Sequence, residues 1–326
     1  MTTLLNNLTD LHQHLGSSST PHFLWELAHE QGIKVSEKDY GRFIDTITIK
    51  NTASQKQYHH LFDVTQQIQS SPYAVEKAVH NAISYSYRKA NVTMIEIRLN
   101  PMRRNKGGEH DLDKIILAAC VGLKKATLEY PVKAGIIIET DRRFPKEYNE
   151  IIVNKAILFK SFGVVGIDLS GQESKDFKIA HLEKTYKKAK EAGLGLTFHT
   201  GETSSTDEMD EVVRRINPNR IGHGIKVIKN KKLMKILSDK KIVLEICPSS
   251  NLAIKIVDSW DEIKEIINIL KENKILFTIN SDCPTLINTN IKKEFQRLLD
   301  HKILTEEDIV EVKKIAEKAS FINLKK

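Results

Sequence analysis

The chain has 326 residues and is 40% hydrophobic, enough to bury a sizeable core, in one large domain or two ordinary ones. Fifty Lys and Arg against 42 Asp and Glu leave a formal charge of +8. The excess is scattered and no basic motif with interleaved aromatics occurs, so a nucleic-acid surface is not expected, whereas an anionic small molecule is compatible. Cys120, Cys247 and Cys283 are too few and too far apart for a disulfide framework, which suggests a reducing compartment. The opening "MTTLLNNLTDLHQH" has no basic n-region or long apolar core, and no window approaches the roughly 18 apolar residues of a membrane span. A cytoplasmic location without membrane contact is expected.

In chain order, the first strand is "LTDLH" at 8–12. Residues 21–90 follow as a helical stretch, too long for a plain strand-to-helix connection. It is read as an insertion over one end of the fold, a lid or substrate wall, with Phe23, Trp25, Leu61, Phe62 and Tyr73 mostly packing. Further strand-like runs are "TMIEIRL" (93–99), "AGIIIET" (134–140), "GVVGIDLS" (163–170), "LGLTFHT" (194–200), "RIGHG" (220–224), "KIVLEICP" (241–248) and "ILFTINSD" (275–282). They are β-branched and almost continuously apolar, as parallel strands buried on both faces are. Amphipathic helical patterns lie between them, such as 180–193 and 260–274. Eight alternating units predict an α/β fold, a (β/α)₈ barrel forming one domain over 1–326. A doubly wound sheet is the rival, but "HLGSSST" after the first strand is no glycine fingerprint.

The polar residues of interest stand where strands end. His12 and His14 close the first, His199 and Glu202 the fifth, His223 the sixth and Asp282 the eighth. In a barrel the C-terminal strand ends form one mouth. Histidines at i and i+2 on a strand share a face, so both reach one ion. With His199 and Asp282 they make three nitrogens and one oxygen, a set that suits Zn²⁺ with a position left for water. Zinc lowers the pKa of such a water. Glu202 stands where a buried carboxyl donates a proton, although alone it also reads as an acid at a helix N-terminus. His223 between glycines also reads as a core histidine. The pair His59–His60 and the isolated His22, His29, His80, His110, His181 and His301 lack a strand-end context and receive no role. The run "NPMRRNKGG" (100–108) places Arg103, Arg104 and Lys106 beyond the second strand, where they read as a solvated loop or an anion contact.

Taken together, "LHQHL" (11–15), "IEIRLNP" (95–101), "GIDLSG" (166–171), "HTGE" (199–202), "RIGHG" (220–224), "EICPSSN" (245–251) and "NSDCP" (280–284) resemble the adenosine deaminase family, in its order. The resemblance implies a barrel carrying one zinc per chain that replaces the 6-amino group of a purine nucleoside with oxygen. It implies that His12, His14, His199 and Asp282 bind zinc. Glu202 would protonate purine N1, His223 would orient the attacking water-derived oxygen, and Asp282 would help take its proton. The backbone of Gly171 would contact the purine. Two positions depart from the family pattern. Gly16 stands where a polar residue usually follows "HxHL" and meets the ribose 5′ end. Cys283 stands where a second aspartate usually meets purine N7, so it is read as substrate wall, neither metal ligand nor nucleophile. Gly16 suggests tolerance of 5′-modified nucleosides. The alternatives are another mononuclear amidohydrolase, or a purine-binding homologue without catalysis. A binuclear site is disfavoured because "GVVGIDLS" offers no strand-4 lysine. The sequence leaves the oligomeric state open.

Overall fold

Each apolar run becomes a strand of a single parallel ring. In the computed structural model, which describes residues 4–173, 177–203 and 205–324, the strands are β1 (Leu8–His14), β2 (Val92–Leu99), β3 (Lys133–Asp141), β4 (Val164–Ser170), β5 (Gly195–Thr200), β6 (Arg220–His223), β7 (Val243–Ile246) and β8 (Phe277–Ile279). Each pairs in parallel with the next, in the order β1 to β8. The ring closes just past β8, where Asp282 bridges to Gln13. There the Asp282 N–H donates to the His12 carbonyl at 2.8 Å, and the His14 N–H donates to the Asp282 carbonyl at 3.1 Å. This is the (β/α)₈ barrel expected, and its closing seam runs through three of the predicted site residues.

The helices of the ring bury Ile, Leu, Val and Ala faces against the strands in one continuous core. The barrel interior differs: it holds paired charges. Arg98 donates to Asp168 at 2.8 Å and to Glu245 at 2.9 Å, and Arg220 donates to Glu245 at 2.6 Å and Glu96 at 2.5 Å. All five side chains are fully buried. Removing one partner of such a set leaves an uncompensated charge, at a cost of about 3–5 kcal/mol. The network fixes the strands whose ends carry the site.

The stretch read as one insertion, 21–90, divides in two. The helices α1 (Pro21–Glu30), α2 (Tyr40–Thr46) and α3 (Gln55–Ile68) form a small cluster built on Leu24, Leu27, Ala28, Phe43, Ile47 and Ile68. The fourth, α4 (Pro72–Ala90), belongs to the ring: Val75, Ala78, Val79, Ala82 and Ile83 join the main core. Its stripe of small and branched apolar residues is what a helix packed on a sheet needs, whereas α3 stands with one face toward the barrel mouth. Tyr73, expected to pack, is half exposed and donates instead to Glu30. Among the described residues no helix is long and apolar enough to cross a membrane.

Candidate active site

The strand ends and α3 enclose a half-open cavity with about 1090 Å³ of space free of atoms, its open mouth included. His14, Gly16, Gly171, His199, Glu202, His223 and Asp282 line it, and His12 lies fully buried beneath them. A register shift between Asp10 and Gln13 breaks the regular β1 ladder where the histidines begin. At the ends of β6 and β8, His223 and Asp282 adopt left-handed backbone, φ 59° and 58°. Non-glycine residues bear that conformation at a cost of order 1–3 kcal/mol, and it turns both side chains into the mouth.

Four donor atoms converge at the floor. His14 Nε2 lies 3.1 Å from His199 Nε2, and Asp282 Oδ1 lies 3.4 Å from His14 Nε2 and 3.6 Å from His12 Nε2. Donors about 2.0–2.1 Å from a tetrahedral metal stand roughly 3.3 Å apart, so the spacing fits one ion. His12 Nε2 is buried and has no hydrogen-bond partner among the described residues, as a group waiting for a cation would be. A second overlapping set, His12, His223, Cys247 and Asp282, also lies close together. Its Cys247 donates its thiol proton to the Glu245 carbonyl, and burial raises the thiol pKa far above its ordinary value, which disfavours the thiolate a metal requires.

Each floor imidazole has a carboxylate behind it. His12 donates from Nδ1 to Glu245 Oε2 at 2.7 Å, and His199 Nδ1 lies 2.9 Å from Asp168 Oδ2. His14 Nδ1 lies 2.9 Å from Glu139 Oε1. A proton on Nδ1 leaves Nε2 with its lone pair free toward the common centre, the arrangement that orients metal-binding histidines. Burial opposes the charged form of Asp282, yet the nearby His12, His223 and His14 outweigh it and hold its pKa below the usual carboxylate range. Glu139, Asp168 and Glu245 are not among the residues expected from sequence, although each is an acid inside a largely apolar strand.

Above the floor, Glu202 Oε1 lies 3.4 Å from His223 Nδ1 and accepts from Asn251 Nδ2 at 3.0 Å. Burial raises the Glu202 pKa, His223 opposes the rise, and Asp282 reinforces it. His223 Nε2 faces Asp282 Oδ2 at 4.0 Å. A carboxyl whose protonated form burial favours thus stands near the donor cluster. Gly171, at φ 86°, is turned so that a Cβ would lie 2.6 Å from Asp141 Oδ1, and its carbonyl accepts from Arg142 Nη1 at 2.9 Å. Only glycine fits there with its backbone presented to the cavity.

The two departures look different in three dimensions. Gly16 lines the cavity, but a Cβ would meet Phe62 Cε1 at 2.7 Å and Gln66 Cγ at 3.2 Å, so α3 has taken the space a side chain would use. Cys283 is fully buried and is absent from the lining of the cavity. Its thiol donates to Asp282 Oδ1 at 3.2 Å and lies 2.7 Å from the Tyr58 hydroxyl. Tyr58 itself lines the cavity, as do Arg103, Arg104 and His59, the last a histidine assigned no role from sequence. Lys106 does not.

A barrel with histidines, a carboxylate and a buried acid at its C-terminal mouth is the architecture of hydrolases that activate water at a metal. The family profile described as Adenosine deaminase matches residues 7–326, and the chain belongs to that family. An adenosine deaminase of Vibrio atlanticus is 30% identical over 318 residues, covering 96% of this chain and 92% of its own. Two solved structures share the fold. An amidohydrolase of Burkholderia ambifaria, solved with bound Zn, has a TM-score of 0.84 at 18% identity and covers 98% of this chain and 86% of its own. An Arabidopsis N6-mAMP deaminase has a TM-score of 0.83 at 23% identity, covering 98% and 95%. The protein is a hydrolase acting on carbon–nitrogen bonds, and its family deaminates aminopurines.

Proposed function

We propose that this chain, as a single domain with α1–α3 as a wall over the barrel mouth, hydrolytically deaminates a 6-aminopurine carried on ribose, adenosine or a close derivative. His12, His14, His199 and Asp282 hold one zinc ion. Bound there, zinc supplies Lewis acidity and lowers the pKa of water toward neutrality. Glu202 gives its proton to purine N1 as water oxygen adds to C6. His223 holds that oxygen in line and Asp282 takes its proton, which is then passed to the departing amine. Ammonia leaves, C6 retains the oxygen as a carbonyl, and the second proton of the water returns to Glu202, which restores the acid for the next turnover. The Gly171 backbone meets the purine. Gly16 borders the 5′ end of the ribose. Cys283 acts from behind the wall by positioning Tyr58.

The observation that carries this reading is the opposition of two groups. One is a cluster of Nε2 atoms whose Nδ1 sides face buried carboxylates. The other is Glu202, a largely but not fully buried carboxyl with a raised pKa. Addition to an amidine carbon needs this pair, a nucleophile on one side and a proton donor to the ring nitrogen on the other. The test is ammonia release from a panel of aminopurine bases, nucleosides and nucleotides, with and without a chelator. Chelator-sensitive ammonia release from a 6-aminopurine is expected. Release from none of them, or full release from chelated enzyme, would reject the reading.

A further inference from the structure

Arg103, Arg104 and Arg143 all line the cavity. Two of them are committed. Arg103 donates to Asp141 Oδ2 through Nε at 2.9 Å, and Arg143 donates to Asp141 Oδ1 through Nε at 2.9 Å and to Oδ2 through Nη2 at 2.7 Å. Arg104 is not committed. It is only 2% exposed, yet among the described residues it forms no ion pair. Its Nη1 reaches the Gln69 carbonyl only at 3.5 Å, and its Nε has no hydrogen-bond partner. Burial pulls its pKa down to about 10, which the Glu139 carboxylate offsets only in part. Glu139 itself is turned to His14. Buried charges in proteins are paired or hydrogen-bonded, because an unpaired one carries its full desolvation cost.

The neighbourhood of Arg104 shows what it faces. Gln69, whose carbonyl it approaches, donates from Nε2 to the Gly16 carbonyl at 3.1 Å, so Arg104 and Gly16 belong to one wall. Asn100 lines the cavity beside them and its Nδ2 is also buried without a partner. Gly16 brings no carboxylate that would repel an anion. The wall therefore offers a guanidinium with one long hydrogen bond and no ion pair, and an amide donor without a partner, beside Gly16, where the proposed function puts the ribose 5′ end.

We infer that this wall receives a phosphate on the ribose 5′ position, so that the substrate class is a 6-aminopurine nucleoside 5′-monophosphate rather than the free nucleoside. The inference rests on the reading that the purine sits over the histidine floor. A phosphate supplies the acceptor oxygens and negative charge that Arg104 lacks, in the bidentate geometry guanidinium groups favour.

The test compares kcat/KM of the zinc-loaded enzyme for adenosine and its 5′-monophosphate, in the wild type and in Arg104→Met and Arg104→Lys. The wild type should prefer the nucleotide by roughly 10²-fold, the scale on which losing a buried, hydrogen-bonded charge partner weakens a complex. Arg104→Met should lower the nucleotide value roughly 10²-fold more than the nucleoside value, and Arg104→Lys should recover only part of it. Unliganded Arg104→Met should melt at or above the wild-type temperature, because it removes a charge the fold does not pair. A preference for the nucleoside, an equal loss on both substrates or a marked fall in melting temperature would each overturn the inference. If neither compound is deaminated, the proposed reaction has failed, and calorimetry still reads the wall. Nucleotide binding tighter than nucleoside binding, and dependent on Arg104, supports it; equal binding of the two overturns it.

Discussion

The floor and the arginine wall of the cavity both bury charge, but they treat it in opposite ways. On the floor every imidazole has a carboxylate behind it, Glu245, Glu139 or Asp168, and the carboxylates Glu245 and Asp168 are held in turn by Arg98. On the wall Arg104 is buried as deeply and has no such partner among the described residues. Charges closed within the chain maintain a geometry. A charge left open sits in a shape that something from outside completes. On the proposed reading, the difference separates the part of the site that performs chemistry from the part that selects the molecule it acts on.

The sharpest way to break the floor is to remove a donor. Asp282→Ala or His14→Ala should abolish both zinc retention and turnover, read by metal analysis and ammonia release; either variant keeping about one zinc per chain would remove that residue from the ligand set. Glu202→Gln comes next: zinc content and melting temperature should hold while kcat falls roughly 10²–10⁴-fold, the range for a general acid. Its pH profile sharpens the point. Glu202 must be protonated to act, and burial raises its pKa above the ordinary 4.5. Wild-type kcat/KM should therefore fall as pH rises through that raised value, a limb that Glu202→Gln should lack.

A smaller effect probes the layer behind the floor. Glu139→Gln keeps the shape beside His14 Nδ1 but removes the charge, and should weaken zinc affinity by about 10–100-fold, measured by competition with a chelator. No change would mean that the histidine needs no carboxylate to hold it. Cys283→Ala is expected to matter least. It should keep zinc and most of the activity, losing about 0.5–1.5 kcal/mol of stability with the contacts to Tyr58 and Asp282. Loss of zinc from that variant would make the thiol a ligand after all.

What the sequence made legible follows from local physics. Parallel strands buried on both faces must be apolar throughout, so a polar residue at the end of such a run is conspicuous, and His12, His14, His199, His223 and Asp282 were found that way. Gly166–Asp168 and Leu244–Glu245 carry equally conspicuous acids, but a carboxylate in a strand does not reveal which imidazole it will hold until the ring is closed. Cys283 reads as substrate wall because it stands where the family's second aspartate usually meets purine N7. The left-handed backbone at Asp282 redirects the chain, and the thiol ends behind Tyr58. Gly16 read as vacant space, which Phe62 from α3 fills. Arg104 read as an exposed loop residue or an anion contact, because its burial depends on Gln69 and on helices distant in sequence. Residues defined by their own strand were legible, and those defined by another element were not.

The central claim, hydrolytic deamination at a metal floor with Glu202 as acid, is tested most directly by turnover in water enriched in heavy oxygen. The zinc-loaded enzyme should release one ammonia per turnover and place one solvent oxygen on C6 of the purine product, with both signals lost on chelation and restored by zinc. Ammonia release that survives complete metal removal, or a product without solvent oxygen at C6, would contradict it.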